Sequence, residues 1–181
     1  MKTLLLHVCC APCFVGSFEA VKDKFKIFVD FYNPNIQPEP EYEHRQNELI
    51  RLIEEVKEYQ EVEVLPASYQ KEDWNKLVKG HEQDKEGGER CRKCFKQRLC
   101  YTAKLAKEYG IDNFATTLTI SPLKNSELIN SIGKEAALDA KTNYFPSDFK
   151  KNNGFQKSCE LSKKYNLYRQ NYCGCLFSKN R

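Results

Sequence analysis

The chain has 181 residues, 30% of them charged and 40% apolar, with a net charge of +4 and nine cysteines. That length fits one domain around a single sizeable core. No apolar run approaches the ~20 residues that a membrane-spanning helix needs, and an odd cysteine count without a secretory signal argues against a disulfide framework.

The opening Met1-Lys2-Thr3-Leu4-Leu5-Leu6 imitates a signal peptide, but His7 cuts the apolar stretch short and Cys-Cys-Ala-Pro-Cys is no cleavage site. A cytoplasmic location is expected. Charge is uneven: residues 141–181 hold nine Lys/Arg and two Asp/Glu, a net +7 against −3 for the rest. One domain over 1–181 with a basic, cysteine-containing C-terminal segment is therefore expected. That segment suits a polyanionic partner or is an ordinary solvated face.

In chain order, Leu4 to Val8 reads as a buried strand, and Pro12 to about Lys24 as a helix. Lys26 to Tyr32, aromatic and β-branched, is a second strand stopped by Asn33-Pro34-Asn35. Glu41 to Glu58 carries Leu49, Ile50, Leu52, Ile53 and Val56 at helical spacing. Val62 to Leu65 is a third strand, Trp74 to Val78 a short helix and His81 to Arg90 a loop. Cys91 to Tyr109 predicts a helix closed by Gly110, and Asn113 to Ile120 a fourth strand. Ser126 to Ala140 is a helix, Tyr144 to Phe149 a short strand, and Leu161 to Arg169 helical or irregular. Strands alternating with helices predict an α/β fold with a doubly wound, mostly parallel sheet, whose ligands bind at the carboxyl ends of the strands.

Cys9 and Cys10 stand at such an end. In a regular strand their side chains point to opposite faces; at a strand-to-helix corner they converge, beside a helix N-terminus that favours thiolate. Cys91 and Cys94, three apart, share one face of a first helical turn. Alone, that pair suits zinc, a redox disulfide or an iron–sulfur cluster. With Cys9 and Cys10 it makes four thiolates, and the adjacent pair at a ligand-binding edge favours a functional cluster over structural zinc. Cys173-Gly174-Cys175 places two thiols about 6.6 Å apart at Cα in extended chain, near the upper limit for a bridge. It reads as a strained, easily reduced disulfide or as two free thiols. His7, His44 and His81 form no ligand spacing, and no phosphate-binding glycine loop is present.

Taken together, His7-Val8-Cys9-Cys10-Ala11-Pro12-Cys13, Tyr32-Asn33-Pro34-Asn35-Ile36 with Glu41-Tyr42 and Arg45, and Gly88 to Phe95 with Arg98-Leu99 resemble the cobalamin-independent epoxyqueuosine reductase family. So do Thr116-Thr117-Leu118 with Ser121-Pro122 and Lys124, Asp148 to Lys151, and Leu167 to Cys175. The resemblance implies a fold similar to ATP-pyrophosphatase-like enzymes, although Cys9-Cys10 stands where their phosphate loop would be. It implies an oxidoreductase that performs the last step of queuosine synthesis, removing the epoxide oxygen from the modified wobble base of tRNA. The family's 4Fe-4S ligands would fall on Cys9, Cys10, Cys91 and Cys94, and its redox-active disulfide on Cys173 and Cys175.

On that footing, cluster and dithiol share the two electrons, an external donor of unknown identity replenishes them, and Cys13 is a further ligand for an additional iron. Asp148 and Tyr172 are candidate general acids. Arg169 and Tyr172, with Tyr165 and Tyr168, are candidate contacts to the tRNA. Two rivals stand beside this reading: a structural four-cysteine zinc protein that binds RNA, and a metal-free dithiol–disulfide oxidoreductase.

Overall fold

A computed structural model describes residues 1–179; Asn180 and Arg181, the end of the basic segment, lie outside the described residues. Five strands, β1 (Lys2–His7), β2 (Phe25–Asp30), β3 (Glu63–Val64), β4 (Asn113–Thr116) and β5 (Asn143–Tyr144), form one sheet in the order β3-β2-β1-β4-β5. Every pairing is parallel, so the sheet is wholly rather than mostly so.

β1 is central because both its faces are apolar. Leu4, Leu6 and Val8 pack under α1 (Ala11–Val21) and α2 (Glu39–Glu55), and α6 (Gly154–Lys164) leans on α1. Leu5 packs oppositely under α4 (Glu89–Glu108) and α5 (Ser126–Ala140). Leu4, Leu5 and Leu6 are fully buried, each contributing about 1.5–3 kcal/mol. The remaining helix, α3 (Lys71–Leu77), buries Trp74 beside Cys94 and Cys175. No helix among the described residues is long and apolar enough to cross a membrane.

Several elements end earlier than their apolar runs predict. β4 stops at Thr116, whose Oγ1 accepts the Leu118 N–H at 3.2 Å and turns Thr117–Ile120 into a tight 3-10 helix. The run Tyr144 to Phe149 pairs only at Tyr144. α6 begins seven residues before the predicted Leu161, launched by Asn152 and Asn153 in the left-handed region (φ 51° and 63°). The chain walks outward from β1 to β3, then returns to β4 on the other side. The carboxyl ends of β1 and β4 are therefore the switch point where such sheets bind ligands.

Candidate metal centre and dithiol

Cys10 closes the corner after β1. Its backbone is extended (φ −171°, ψ 157°), it caps α1, and its Sγ accepts the Cys13 N–H at 3.3 Å. Pro12 takes an early helical position where its missing N–H is harmless. Cys9 Sγ lies 3.9 Å from Cys10 Sγ, and Cys10 Sγ lies 2.6 Å from Cys13 Sγ. The three sulfurs fall within 4.8 Å of one another, a group able to hold a metal ion. The Cys9–Cys10 separation matches the edge of a tetrahedron with metal–sulfur bonds of about 2.3 Å.

Hydrogen bonds from Cys10 and Cys13 hold the Cys9 thiol well below its ordinary range, against burial and aided by the charges of Arg98 and Lys124. Burial pushes Cys10 up to about 12. Contact with Cys10 pushes Cys13 well above its ordinary value.

Cys91 lies in the first turn of α4 and Cys94 in the second, near a second helix N-terminus turned to thiols. Gly87 N–H donates to Cys91 Sγ at 3.3 Å. Burial raises both thiols. The Trp74 indole N–H is buried without a hydrogen-bond partner, close enough to Cys94 to favour its thiolate. The two cysteine hooks face neighbouring cavities. A cavity of about 350 Å³ is lined by Cys9, Cys13, Arg169, Gln170 and Tyr172. A smaller one, about 60 Å³, is lined by Cys91, Cys94, Trp74, Asn35 and Cys175. Arg98, Lys124 and Cys173 line both.

A family model described as epoxyqueuosine reductase QueH matches residues 4–181. The chain belongs to the QueH epoxyqueuosine reductase family. It is 44% identical over 178 residues to the epoxyqueuosine reductase QueH of Streptococcus pyogenes serotype M1, covering 97% of this chain and 70% of that one. It is 41% identical over 179 residues to the QueH of Staphylococcus aureus, covering 97% and 75%. The QueH of Thermotoga maritima is 39% identical over 181 residues, with 98% and 91% covered.

For a QueH family member the donor set fits a soft metal: the sulfurs are thiols near helix N-termini, and among the described residues no carboxylate or imidazole joins the cysteine group. The tight group is Cys9, Cys10 and Cys13, rather than Cys9 and Cys10 with Cys91 and Cys94. Ligands of a cubane stand farther apart than ligands of one ion, since the irons and sulfides lie between them.

The C-terminal loop brings the third pair. Cys173 is held down to about 5 by a hydrogen bond from Cys175, helped by Ser178 at 3.0 Å and by the Lys124 charge, against burial. The same contact with Cys173 drives Cys175 far up. Gln170 sets its side chain against Cys10 and leaves its buried Oε1 without a partner at the large cavity. Arg169 lines that cavity, with Nη1 on Ser162 Oγ at 3.1 Å. The Tyr172 hydroxyl donates to the Gln37 carbonyl at 2.6 Å, so its proton is already engaged.

Asp148 pairs with Lys150 at 2.7 Å and Lys151 at 3.6 Å, which hold its carboxyl below the ordinary range despite burial, and it lines neither cavity. His7 is a buried neutral ring, driven down to about 3 by burial. Cys100 sits in the α4 layer and Cys159 on α6, outside the cysteine group. Sequence reasoning gave no role to Arg98 or Lys124. For Arg98 the signal was present, one helical turn after Cys94 on the same face.

Proposed function

We propose that this chain reduces epoxyqueuosine to queuosine at the wobble position of tRNA, as one α/β domain in the cytoplasm, using a 4Fe-4S cluster held by Cys9, Cys10, Cys91 and Cys94 and a dithiol formed by Cys173 and Cys175. The observation that carries this reading is the shared wall of the two cavities, where Cys173, Arg98 and Lys124 stand between the cysteine hooks. When bound, the cluster supplies one-electron transfer and a Lewis-acidic iron. Cys13, touching Cys10, is the natural ligand for an additional iron.

The chemistry balances on the dithiol. Removing an epoxide oxygen breaks two C–O bonds, forms C=C and consumes two electrons and two protons, releasing water. Oxidation of Cys173 and Cys175 to a disulfide releases two electrons and two protons. One turnover thus leaves a disulfide, which an external thiol-class reductant must reopen.

Lys124 is half-buried at the cavity, and its ammonium makes no hydrogen bond or ion pair among the described residues. Its ammonium, lining both cavities, supports a role in giving the departing oxygen its first proton. The orphan Gln170 Oε1 suits a hydroxyl or N–H of the nucleoside. Arg169 and Tyr172 sit at the large cavity beside the exposed Phe155, an aromatic setting for an unstacked base.

The deciding experiment is purification without oxygen, followed by iron, sulfide and zinc analysis and a single-turnover assay on epoxyqueuosine-containing tRNA. A brown protein with iron and sulfide that converts one equivalent is expected. A colourless protein with one zinc would favour a structural RNA-binding module. A colourless, metal-free one would favour a simple dithiol oxidoreductase.

A further inference from the structure

Arg98 is a buried cation in an unusual setting. It projects from α4 one turn after Cys94 and is 3% exposed. Its Nη2 donates to Asn33 Oδ1 at 2.6 Å, its Nε to His7 Nε2 at 3.3 Å, and its Nη1 reaches Cys94 Sγ at 3.9 Å. His7 Nε2 also lies 3.1 Å from the Tyr32 carbonyl, while Nδ1 lies 2.9 Å from Thr116 Oγ1. Nε2 either accepts the Arg98 N–H, with the ring proton on Nδ1 facing Thr116, or carries the proton itself and donates to the Tyr32 carbonyl. One side chain thus braces the ends of β1 and β2 against the helix that carries the second cysteine hook.

A guanidinium taken out of water normally finds a carboxylate, because an uncompensated buried charge is costly. Arg98 touches none among the described residues. Asp30 is the buried carboxylate whose charge reaches it. Both Asp30 oxygens are spent elsewhere, on Thr102 Oγ1 at 2.7 Å and the Tyr32 N–H at 2.9 Å. The acceptors that Arg98 does meet are an amide, an imidazole and a sulfur. It lines both cysteine cavities, and its charge is felt at Cys9 as well as at Cys94.

We propose that Arg98 is the positioning residue that supplies the positive charge for the thiolate-held metal group, fixing Cys94 by an N–H···S contact and raising the reduction potential of the group when it is bound. The proposal rests on the metal reading above. Its physical basis is that a nearby cation and hydrogen bonds to ligand sulfurs both favour the more negative, reduced form.

The test is a redox titration of the anaerobically purified, iron-loaded protein and of two variants, Arg98→Gln and Arg98→Lys. At the parent's midpoint, Arg98→Gln is expected to show a tenfold higher oxidised-to-reduced ratio, which is 59 mV for a one-electron couple. Arg98→Lys, which keeps the charge, is expected to recover part of that shift. An iron-loaded Arg98→Gln protein with an unchanged midpoint would overturn the proposal.

If Arg98→Gln fails to load iron, thermal melting of the metal-free proteins decides. Melting at the parent's temperature supports a role toward the metal group, whereas a large drop assigns Arg98 to the fold alone and sinks the idea. A parent that holds no iron and sulfide defeats the metal reading itself, and is recognised before any variant is made.

Discussion

Arg45 Nη1 donates to the carbonyl oxygen of Cys173 at 3.3 Å, so a side chain of α2 holds the loop that carries the dithiol. Its Nη2 reaches the Tyr172 carbonyl at 3.2 Å, and its Nε binds Glu41 at 2.7 Å, one turn earlier on α2. Tyr168 adds its hydroxyl to Glu41 at 3.2 Å. Replacing Arg45 with Met keeps the bulk and removes every donor. The expected cost is about 3 kcal/mol, as for breaking a buried pair, read by urea unfolding. Multiple-turnover reduction should fall about tenfold, as for a comparable loss of loop positioning, with iron content unchanged. Turnover at the parent's rate would show that the loop does not need this clamp.

Gly174 sits between the two thiols at φ +114°, a conformation L side chains rarely adopt. A Cβ there would stand 2.7 Å from Ile36 Cγ1, and the Gly174 carbonyl accepts the Gln37 N–H at 2.9 Å. Gly174→Ala should therefore lose roughly 1–3 kcal/mol and slow closure of the Cys173–Cys175 bridge. Thiol titration against a glutathione series measures the second effect, and an unchanged equilibrium would mean that the bend is not what brings the sulfurs together.

The order of elements was legible because hydrophobic periodicity is local: Leu4-Leu5-Leu6 and the Leu49 to Ile53 stripe need no partner to declare themselves. Helix Ser126–Ala140 was readable to the residue, since Asn125 caps it through Leu128 N–H at 3.1 Å. Strand lengths were not, because pairing is decided by a neighbour: β5 stops after Tyr144, opposite Phe114, whatever its own aromatics prefer, while β4 runs on to Thr116 beside β1. The cysteine hooks could be named from spacing alone. That Cys13 joins Cys9 and Cys10 follows from the local corner that Cys10 caps, whereas the cavity that Cys91 and Cys94 share with Cys175 depends on contacts between distant segments.

Asp30 offers a pH signature of the fold. Burial raises its carboxyl from 3.8 to about 6, against hydrogen bonds from Thr102 and Tyr32 and the charge of Arg98. The folded state then binds the proton more tightly than the unfolded one. Its contribution is full below the unfolded value of 3.8 and is lost as pH rises through about 6. Asp30→Asn should remove this slope, worth up to about 3 kcal/mol. Denaturant unfolding of both proteins across that range checks it, and parallel stability curves would contradict the assignment.

The dithiol should be asymmetric. With Cys173 held down to about 5, iodoacetamide should modify it at a rate that is flat at neutral pH and halves near that value. Cys175→Ala removes the leading cause and should move the midpoint upward. Mass spectrometry of the labelled peptide reports both. Equal labelling of Cys173 and Cys175 across pH would refute the asymmetry.

Arg169 is exposed at the mouth of the large cavity, its guanidinium 5.9 Å from the centre of the Phe155 ring. Affinity for tRNA should fall as salt rises, and Arg169→Ala should lessen the log–log slope by about 0.7, the value for one phosphate on a single strand. Fluorescence anisotropy over a salt series measures this; a slope untouched by the substitution would take Arg169 off the nucleic-acid surface.

The place of the central strand before the other four in the sequence has a further consequence, for synthesis rather than catalysis. Cys9, Cys10 and Cys13 leave the ribosome well before their buried neighbours on β4, α4 and the C-terminal loop. At about 5–20 residues per second, the nascent chain spends many seconds with three bare thiols and no sheet to enclose them. For a cysteine group able to hold a metal, selectivity is therefore a property of the finished fold, and loading is best timed after the C-terminal loop has docked.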